Sequence, residues 1–110
     1  LGHSIGDEIL TKVAFIGADM MRKNDIFGRF SGEEFMMCLP KTSIKSAMET
    51  GECIRACINE HIWQFNPLEK VSVSVGVATL TDDTDLISLV KKAEDQLYQA
   101  KASGKNKVCG

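Results

Sequence analysis

The sequence predicts an α+β layer fold in which helices pack on an antiparallel-centred sheet. Three observations predict it. Three stretches repeat their apolar residues every three or four positions. A hairpin signal lies between residues 25 and 40. An alternating apolar run covers residues 71–80. In chain order these read α-ββ-α-β-α, followed by a last short strand at 105–109, and such a pattern of hairpin and connecting helices fits one sheet backed by helices.

The first helix is expected over residues 4–23. Ile5, Ile9, Val13, Ile16 and Met20 share one helical face. Ser4 suits the N-cap, Asp7 and Glu8 place negative charge in the first turn, and Arg22 and Lys23 place positive charge in the last. The hairpin follows: Ile26 to Phe30 as one strand, Ser31-Gly32 as the turn, and the apolar run Phe35, Met36, Met37, Cys38, Leu39 as a buried return strand stopped by Pro40. Thr42 or Ser43 then caps a second helix running to about residue 62. Its stripe is Ile44, Ala47, Met48, Gly51, Ile54, Ile58 and Ile62, and Phe65-Asn66-Pro67 ends it. Val71, Val73, Val75 and Val77 alternate with small residues in the strongest strand signal of the chain. After a turn at 81–84, the third helix covers 85–102 with Leu86, Leu89, Val90, Ala93, Leu97 and Ala100 inward. Ser103-Gly104 reads as its C-cap.

The 110 residues are enough for one domain and not two, and for a buried core without staples. The net charge of -2 argues against a dedicated nucleic-acid binder, but it leaves room for a nucleotide site, where a few placed cations suffice. Cys38, Cys53, Cys57 and Cys109 form no C-x-x-C pair, so a reducing, cytoplasmic setting is expected. No apolar stretch approaches the ~18–20 residues that span a bilayer. Cys38 lies in an apolar run, where a thiol behaves as a small hydrophobe. Cys53, Cys57 and His61 fall at i, i+4 and i+8 on the second helix; zinc would need a fourth ligand, and packing explains the cysteines more simply. Trp63 and Phe65 are expected to pack under the next loop, and Lys91-Lys92 to lie on a solvated helix face.

Glu33 and Glu34 follow the turn glycine Gly32. Neighbouring side chains of a strand point to opposite faces, so one of them can face a site at the tip while the other turns away. Gly32 lets a bulky group approach the backbone, and Mg²⁺ favours one or two carboxylates completed by substrate phosphates. Acidic residues beside hairpin turns are also commonly just solvated.

Four separated segments carry a family resemblance. Arg29-Phe30-Ser31-Gly32-Glu33-Glu34-Phe35 resembles the R-x-G-G-D/E-E-F signature of the GGDEF family. Gly2-His3-Ser4-Ile5-Gly6-Asp7-Glu8-Ile9-Leu10 is similar to its G-H-x-x-G-D-x-x-L segment, and Val73-Ser74-Val75-Gly76-Val77 to its S-x-G-V/I strand. Ala93 to Lys101 with Gly104-Lys105-Asn106 resemble its A-D-x-A-L-Y-x-A-K-x-x-G-R-N ending. Their order along the chain makes the match far more specific than any one of them.

The resemblance implies a fold like the palm of nucleotide cyclases and polymerases, ferredoxin-like in its sheet. It also implies a bacterial signalling enzyme, a diguanylate cyclase that condenses two GTP into cyclic di-GMP with Mg²⁺ (or Mn²⁺). Two domains, each holding one GTP, would meet as a homodimer, driven by an upstream sensory or receiver domain in a parent protein that could be membrane-anchored. By the same resemblance Glu33 and Glu34 are metal ligands, Glu34 also activating the attacking ribose hydroxyl, and Gly32 lies where the phosphates pass. Asp7 accepts from the guanine edge. Lys101 and Lys105 contact phosphate, Lys105 keeping the charge of the family's arginine but not its fork. Arg22 and Asp25 resemble the inhibitory R-x-x-D site for cyclic di-GMP. The position of the family's further inhibitory arginine is Cys53 here, with Arg55 two residues on.

Three departures bear on activity, one of them Lys105 in place of the family's arginine. Ser31 replaces the first signature glycine. The family's D-x-D-x-F-K and x-x-N-D motifs, which supply the first metal aspartate, a phosphate lysine and a guanine-binding asparagine, would lie upstream of Leu1, so residues 1–110 are expected to be the C-terminal major part of a single such domain and to be inactive alone. The alternative reading is a catalytically inactive domain of the same fold that serves as a cyclic di-GMP or GTP receptor or as a dimerisation module. A remoter one is an unrelated ferredoxin-like interaction module.

Overall fold

The computed structural model describes residues 5–63, 65–66, 70–81 and 85–110. The elements run α1 (Ile5–Asp19), β1 (Ile26–Ser31), β2 (Glu34–Cys38), α2 (Ile44–Glu60), β3 (Val75–Gly76), α3 (Leu86–Ala102) and β4 (Val108–Cys109). This is the expected α+β order. The described residues of Leu1–Lys41 and Ile62–Glu69 make one unit, and those of Thr42–His61 and Lys70–Gly110 a second.

In the first unit α1 buries Val13, Ile16 and Gly17, the middle of the expected stripe. Its expected cap, Ser4, lies outside the described residues. α1 stops at Asp19, short of the expected end at residue 23. Met20 and Met21 donate to the carbonyls of Gly17 and Ala18 at 3.2 and 3.1 Å, a tightening to three-residue turns. The Arg22 N–H then donates to the Asp25 carboxylate at 2.8 Å, and that local bond draws the backbone out of the helix.

β1 and β2 pair antiparallel, from Ile26 opposite Cys38 to Ser31 opposite Glu34. The register slips between Arg29 and Ser31, where Phe30 is the extra residue of a bulge. The turn residues are therefore Gly32 and Glu33, one position later than expected. Phe27 and Phe35 stack at 5.4 Å, and a Cβ at Gly17 would collide with the Phe27 ring, so this glycine lets α1 lie against the hairpin. The return strand is not wholly buried. Phe35 and Met37 are half-buried while Met36 and Cys38 are exposed, because strand side chains alternate between faces. Cys38 thus does not act as a core hydrophobe. Trp63 is buried, its ring 5.8 Å from that of Phe65.

In the second unit Ser43 is the N-cap of α2, its Oγ accepting from the Ser46 N–H at 3.1 Å, as its residue type predicts. Gly51, Ile54 and Ile58 form the buried stripe. Ile44 and Ile62, expected on it, are exposed; Ile62 lies beyond the helix end at Glu60. The Pro67 part of the expected stop signal lies outside the described residues.

The long strand expected over 71–80 is reduced to the two residues of β3. Strand structure needs a pairing partner, and β4 pairs with Val75 and Gly76 alone. That pairing is parallel, so the single antiparallel sheet of the expectation is here a two-stranded antiparallel hairpin in one unit and a two-stranded parallel pair in the other. A Cβ on Gly51 would sit 3.2 Å from Val75 and 3.3 Å from Val108, whereas one on Gly76 would collide with the α3 backbone at Ala93 and Leu97. Since adjacent strand residues face opposite ways, the β3–β4 pair lies between α2 and α3.

Asp85 caps α3, accepting from the Ser88 N–H at 2.8 Å. Ala100 is fully buried, but Leu86, expected inward, is exposed in the first turn. Most of the expected turn at 81–84 lies outside the described residues. Lys91 forms a solvent-exposed pair with Asp95 at 3.8 Å, in keeping with a solvated face. Among the described residues no helix is long and apolar enough to cross a membrane.

Candidate functional site

The hairpin tip is tied down from within. The Arg29 guanidinium donates through Nε to the Gly32 carbonyl at 2.7 Å, and Nη2 shares the same acceptor. Arg29 is the last regularly paired residue before the bulge, and its side chain reaches the turn three residues on. Glu33 is exposed in the turn, and Glu34, half-buried, opens β2 opposite Ser31. A Cβ at Gly32 would meet nothing within 4 Å. The tip backbone therefore borders open space, with one carboxylate beside it and the next held by the strand ladder.

Below the tip, α1 and the hairpin flank an open cavity of about 570 Å³. Leu10, Ala14, Phe27 and Phe35 make its wall mainly apolar. Asp7 and Arg29 are the charged residues on it. Thr11 also lines it, but its hydroxyl donates back to the Asp7 carbonyl at 2.8 Å. Gly32, Glu33 and Glu34 are not lining residues; Arg29 links the cavity wall to the tip.

Arg22 and Asp25 meet directly. Arg22 Nε donates to Asp25 Oδ2 at 3.0 Å, and Nη2 to Oδ1 at 3.2 Å, beside the backbone bond already described. The Asp25 side chain is 4% exposed and that of Arg22 59%. The Arg22 side-chain hydrogen bonds, then its backbone N–H, hold the Asp25 carboxyl below the usual carboxylate range.

Lys101 and Lys105 belong to the second unit, so the first unit brings together six of the eight candidate residues: Asp7, Arg22, Asp25, Gly32, Glu33 and Glu34. Lys101 is in the last turn of α3 and Lys105 in the reversal after it, where Lys105 and Asn106 adopt left-handed backbone at φ 62° and 51°. Both lysines are exposed, and their side chains make no hydrogen bond or ion pair with the described residues. Lys107, by contrast, donates to the Ser103 carbonyl at 2.5 Å.

Residue patterns assigned no role to Asn106 or to the bracing by Arg29, and only weighed Arg55. Arg55 donates to Glu52 and, through Nη1, to Asn106 Oδ1 at 2.9 Å. Only the Arg55–Glu52 spacing of three was visible in advance.

Among the described residues no group of three or more His, Cys, Asp or Glu lies close enough to hold a metal ion. The two adjacent carboxylates of the tip suit Mg²⁺, which accepts one or two protein carboxylates and completes its shell with water and phosphate.

The family model described as "Diguanylate cyclase, GGDEF domain" matches residues 1–107. Diguanylate cyclase DgcM of Escherichia coli (strain K12) is 36% identical over 107 residues, covering 97% of this chain and 26% of that protein. Response regulator PleD of Caulobacter vibrioides is 35% identical over 113 residues, covering 99% of this chain and 25% of that protein. The chain thus spans about a quarter of the length of these relatives. The active GGEEF domain of a diguanylate cyclase from Vibrio cholerae superposes with a TM-score of 0.86 at 30% identity, over 99% of this chain and 70% of that one. The GGDEF domain of DgcB from Caulobacter crescentus, solved in complex with c-di-GMP, gives a TM-score of 0.91 at 27% identity, over 98% and 66%. The palm-like α+β fold expected from the motifs is the fold of these neighbours.

Proposed function

Because this chain belongs to the GGDEF family of diguanylate cyclase domains, we propose that it forms the greater part of a catalytic domain condensing two GTP into cyclic di-GMP. The observation that carries the reading is the tip. The signature residues Arg29 to Phe35 fold into a braced turn with Glu33 and Glu34 beside open space. The same arginine lines a cavity that also holds Asp7.

In this reading Asp7 accepts hydrogen bonds from the N1–H and N2–H₂ of guanine, a pattern adenine lacks. Lys101 and Lys105, whose side chains have no internal partner among the described residues, meet the phosphates. Glu33 and Glu34 would hold Mg²⁺ or Mn²⁺. Bound there, the metal would neutralise phosphate charge and favour the alkoxide form of the attacking hydroxyl. Glu34 takes up the proton of that ribose hydroxyl. Positioning and charge stabilisation are the main contributions a protein makes to phosphoryl transfer. Two such domains face each other as a homodimer, the ribose hydroxyl of each nucleotide attacking the α-phosphate of the other and displacing pyrophosphate, under an upstream sensory or receiver domain in the cytoplasm. Arg22 and Asp25 form the product-inhibition site.

The experiment is turnover of GTP with Mg²⁺ by the complete natural protein, read as cyclic di-GMP by chromatography. Product that disappears in Glu34→Ala supports the reading; unchanged turnover in that variant overturns it. Ser31, which places a side chain opposite Glu34 where the signature has glycine, favours the second reading of an inactive receptor. Calorimetric binding of cyclic di-GMP or GTP without turnover in the complete protein would establish that one.

A further inference from the structure

The turn that carries Lys105 is unusual in its backbone. After α3, Gly104, Lys105 and Asn106 have φ of 126°, 62° and 51°. Glycine adopts such values freely and asparagine tolerates them. A lysine has no local means of offsetting the clash of its Cβ. Such a conformation persists only where its surroundings impose it.

Those surroundings are polar and come from three directions. The Lys105 N–H donates to the Ala100 carbonyl at 2.9 Å, folding the turn back on α3. The Asn106 N–H donates to Ser74 Oγ at 3.2 Å, just before β3. The Asn106 side chain is held at both ends from α2, its Oδ1 accepting from Arg55 Nη1 at 2.9 Å and its Nδ2 donating to Asn59 Oδ1 at 3.3 Å. Arg55 is aimed by Glu52, which accepts from its Nε at 2.8 Å, and the Arg55 side chain is only 18% exposed. A charge-assisted chain therefore runs from Glu52 through Arg55 to Asn106, and the residue adjoining its end presents an exposed ammonium with no internal partner among the described residues.

We propose that Arg55 and Asn106 are positioning residues that fix the direction in which Lys105 meets the nucleotide triphosphate. The proposal rests on the reading of Lys105 as a phosphate contact. The contacts needed are made between α2 and the α3–β4 turn, with no ligand required to form them.

The test uses the complete natural protein with GTP and Mg²⁺, and compares Lys105→Ala, Arg55→Ala and the double variant. Lys105→Ala should raise KM for GTP by about tenfold, the scale of one charge-assisted contact. Arg55→Ala should raise KM by several-fold with kcat within about twofold, and should add almost nothing in the Lys105→Ala background, because coupled residues are not additive. Arg55→Lys, which keeps a donor for Asn106, should recover part of the loss. If Arg55→Ala folds poorly, Asn106→Gly removes the same anchor while easing the left-handed backbone, and should show the same non-additivity. An Arg55 effect that multiplies in full with that of Lys105→Ala, or a KM unchanged in both Arg55→Ala and Asn106→Gly, overturns the positioning role while leaving the phosphate contact standing. A KM unchanged in Lys105→Ala removes the phosphate contact and the proposal with it, and the two failures are thereby told apart.

Discussion

Arg22 and Asp25 close on each other as a three-bond clasp, the carboxylate receiving the backbone N–H, Nε and Nη2 of the same arginine at 2.8, 3.0 and 3.2 Å. The clasp ends α1 and starts the approach to β1. It also sits on the two residues proposed to bind cyclic di-GMP.

The Asp25 carboxyl should titrate below its ordinary value of ~3.9, because the arginine hydrogen bonds favour the ionised form. A carboxylate whose folded value is depressed contributes stability that is fully present above the ordinary value and is lost as pH falls through the folded value. Carbonyl-detected NMR titration should place the Asp25 midpoint below the ordinary aspartate value. In Arg22→Ala the Asp25 midpoint should move up. A midpoint at the ordinary value in the parent protein would show that the clasp does not form in solution.

Arg22→Ala should weaken inhibition by cyclic di-GMP at least about tenfold while leaving initial turnover of GTP within about twofold, since an arginine contact to phosphate or a guanine edge is strong and charge-assisted. The measurement is turnover against added product. Inhibition as strong as in the parent protein would move the product site elsewhere.

Glu33→Ala and Glu34→Ala should each lower turnover by about 10²-fold or more, as expected for groups that stabilise developing charge. Glu33 is an exposed turn residue, so its loss should leave the melting temperature nearly unchanged. Activity and thermal melting of the same samples separate the chemical role from a structural one.

Gly76→Ala and Gly28→Ala should differ sharply. A Cβ at Gly76 would collide with the α3 backbone at Ala93 and Leu97, which cannot yield as a flexible side chain would, whereas a Cβ at Gly28 meets nothing within 4 Å. Gly76→Ala should cost about 1–3 kcal/mol or more, the scale of overpacking, and Gly28→Ala under ~0.5 kcal/mol, as is usual at open positions. Denaturant unfolding of both variants measures the contrast.

What the amino-acid sequence determined by itself is what adjacent residues decide among themselves. Ser43 and Asp85 cap their helices because each cap is a bond to an N–H three residues on. The hairpin follows from two apolar runs flanking a glycine turn, and the four signature segments identify the family. The Arg22–Asp25 clasp also spans only three residues. Tertiary structure decided the rest. Val71 to Leu80 has the alternation of a long strand, yet the strand is two residues long because its extent depends on β4, more than thirty residues away. Ile44, Ile62 and Leu86 match helical stripes but are exposed, because a stripe states which residues could be buried and not how far the covering elements reach. Arg55 finds Asn106 across 51 positions, and no spacing rule spans that distance. Capping, turn chemistry and periodicity act over a few residues and can be read along the chain, whereas pairing partners and long-range hydrogen bonds arise only once distant segments have been brought into contact.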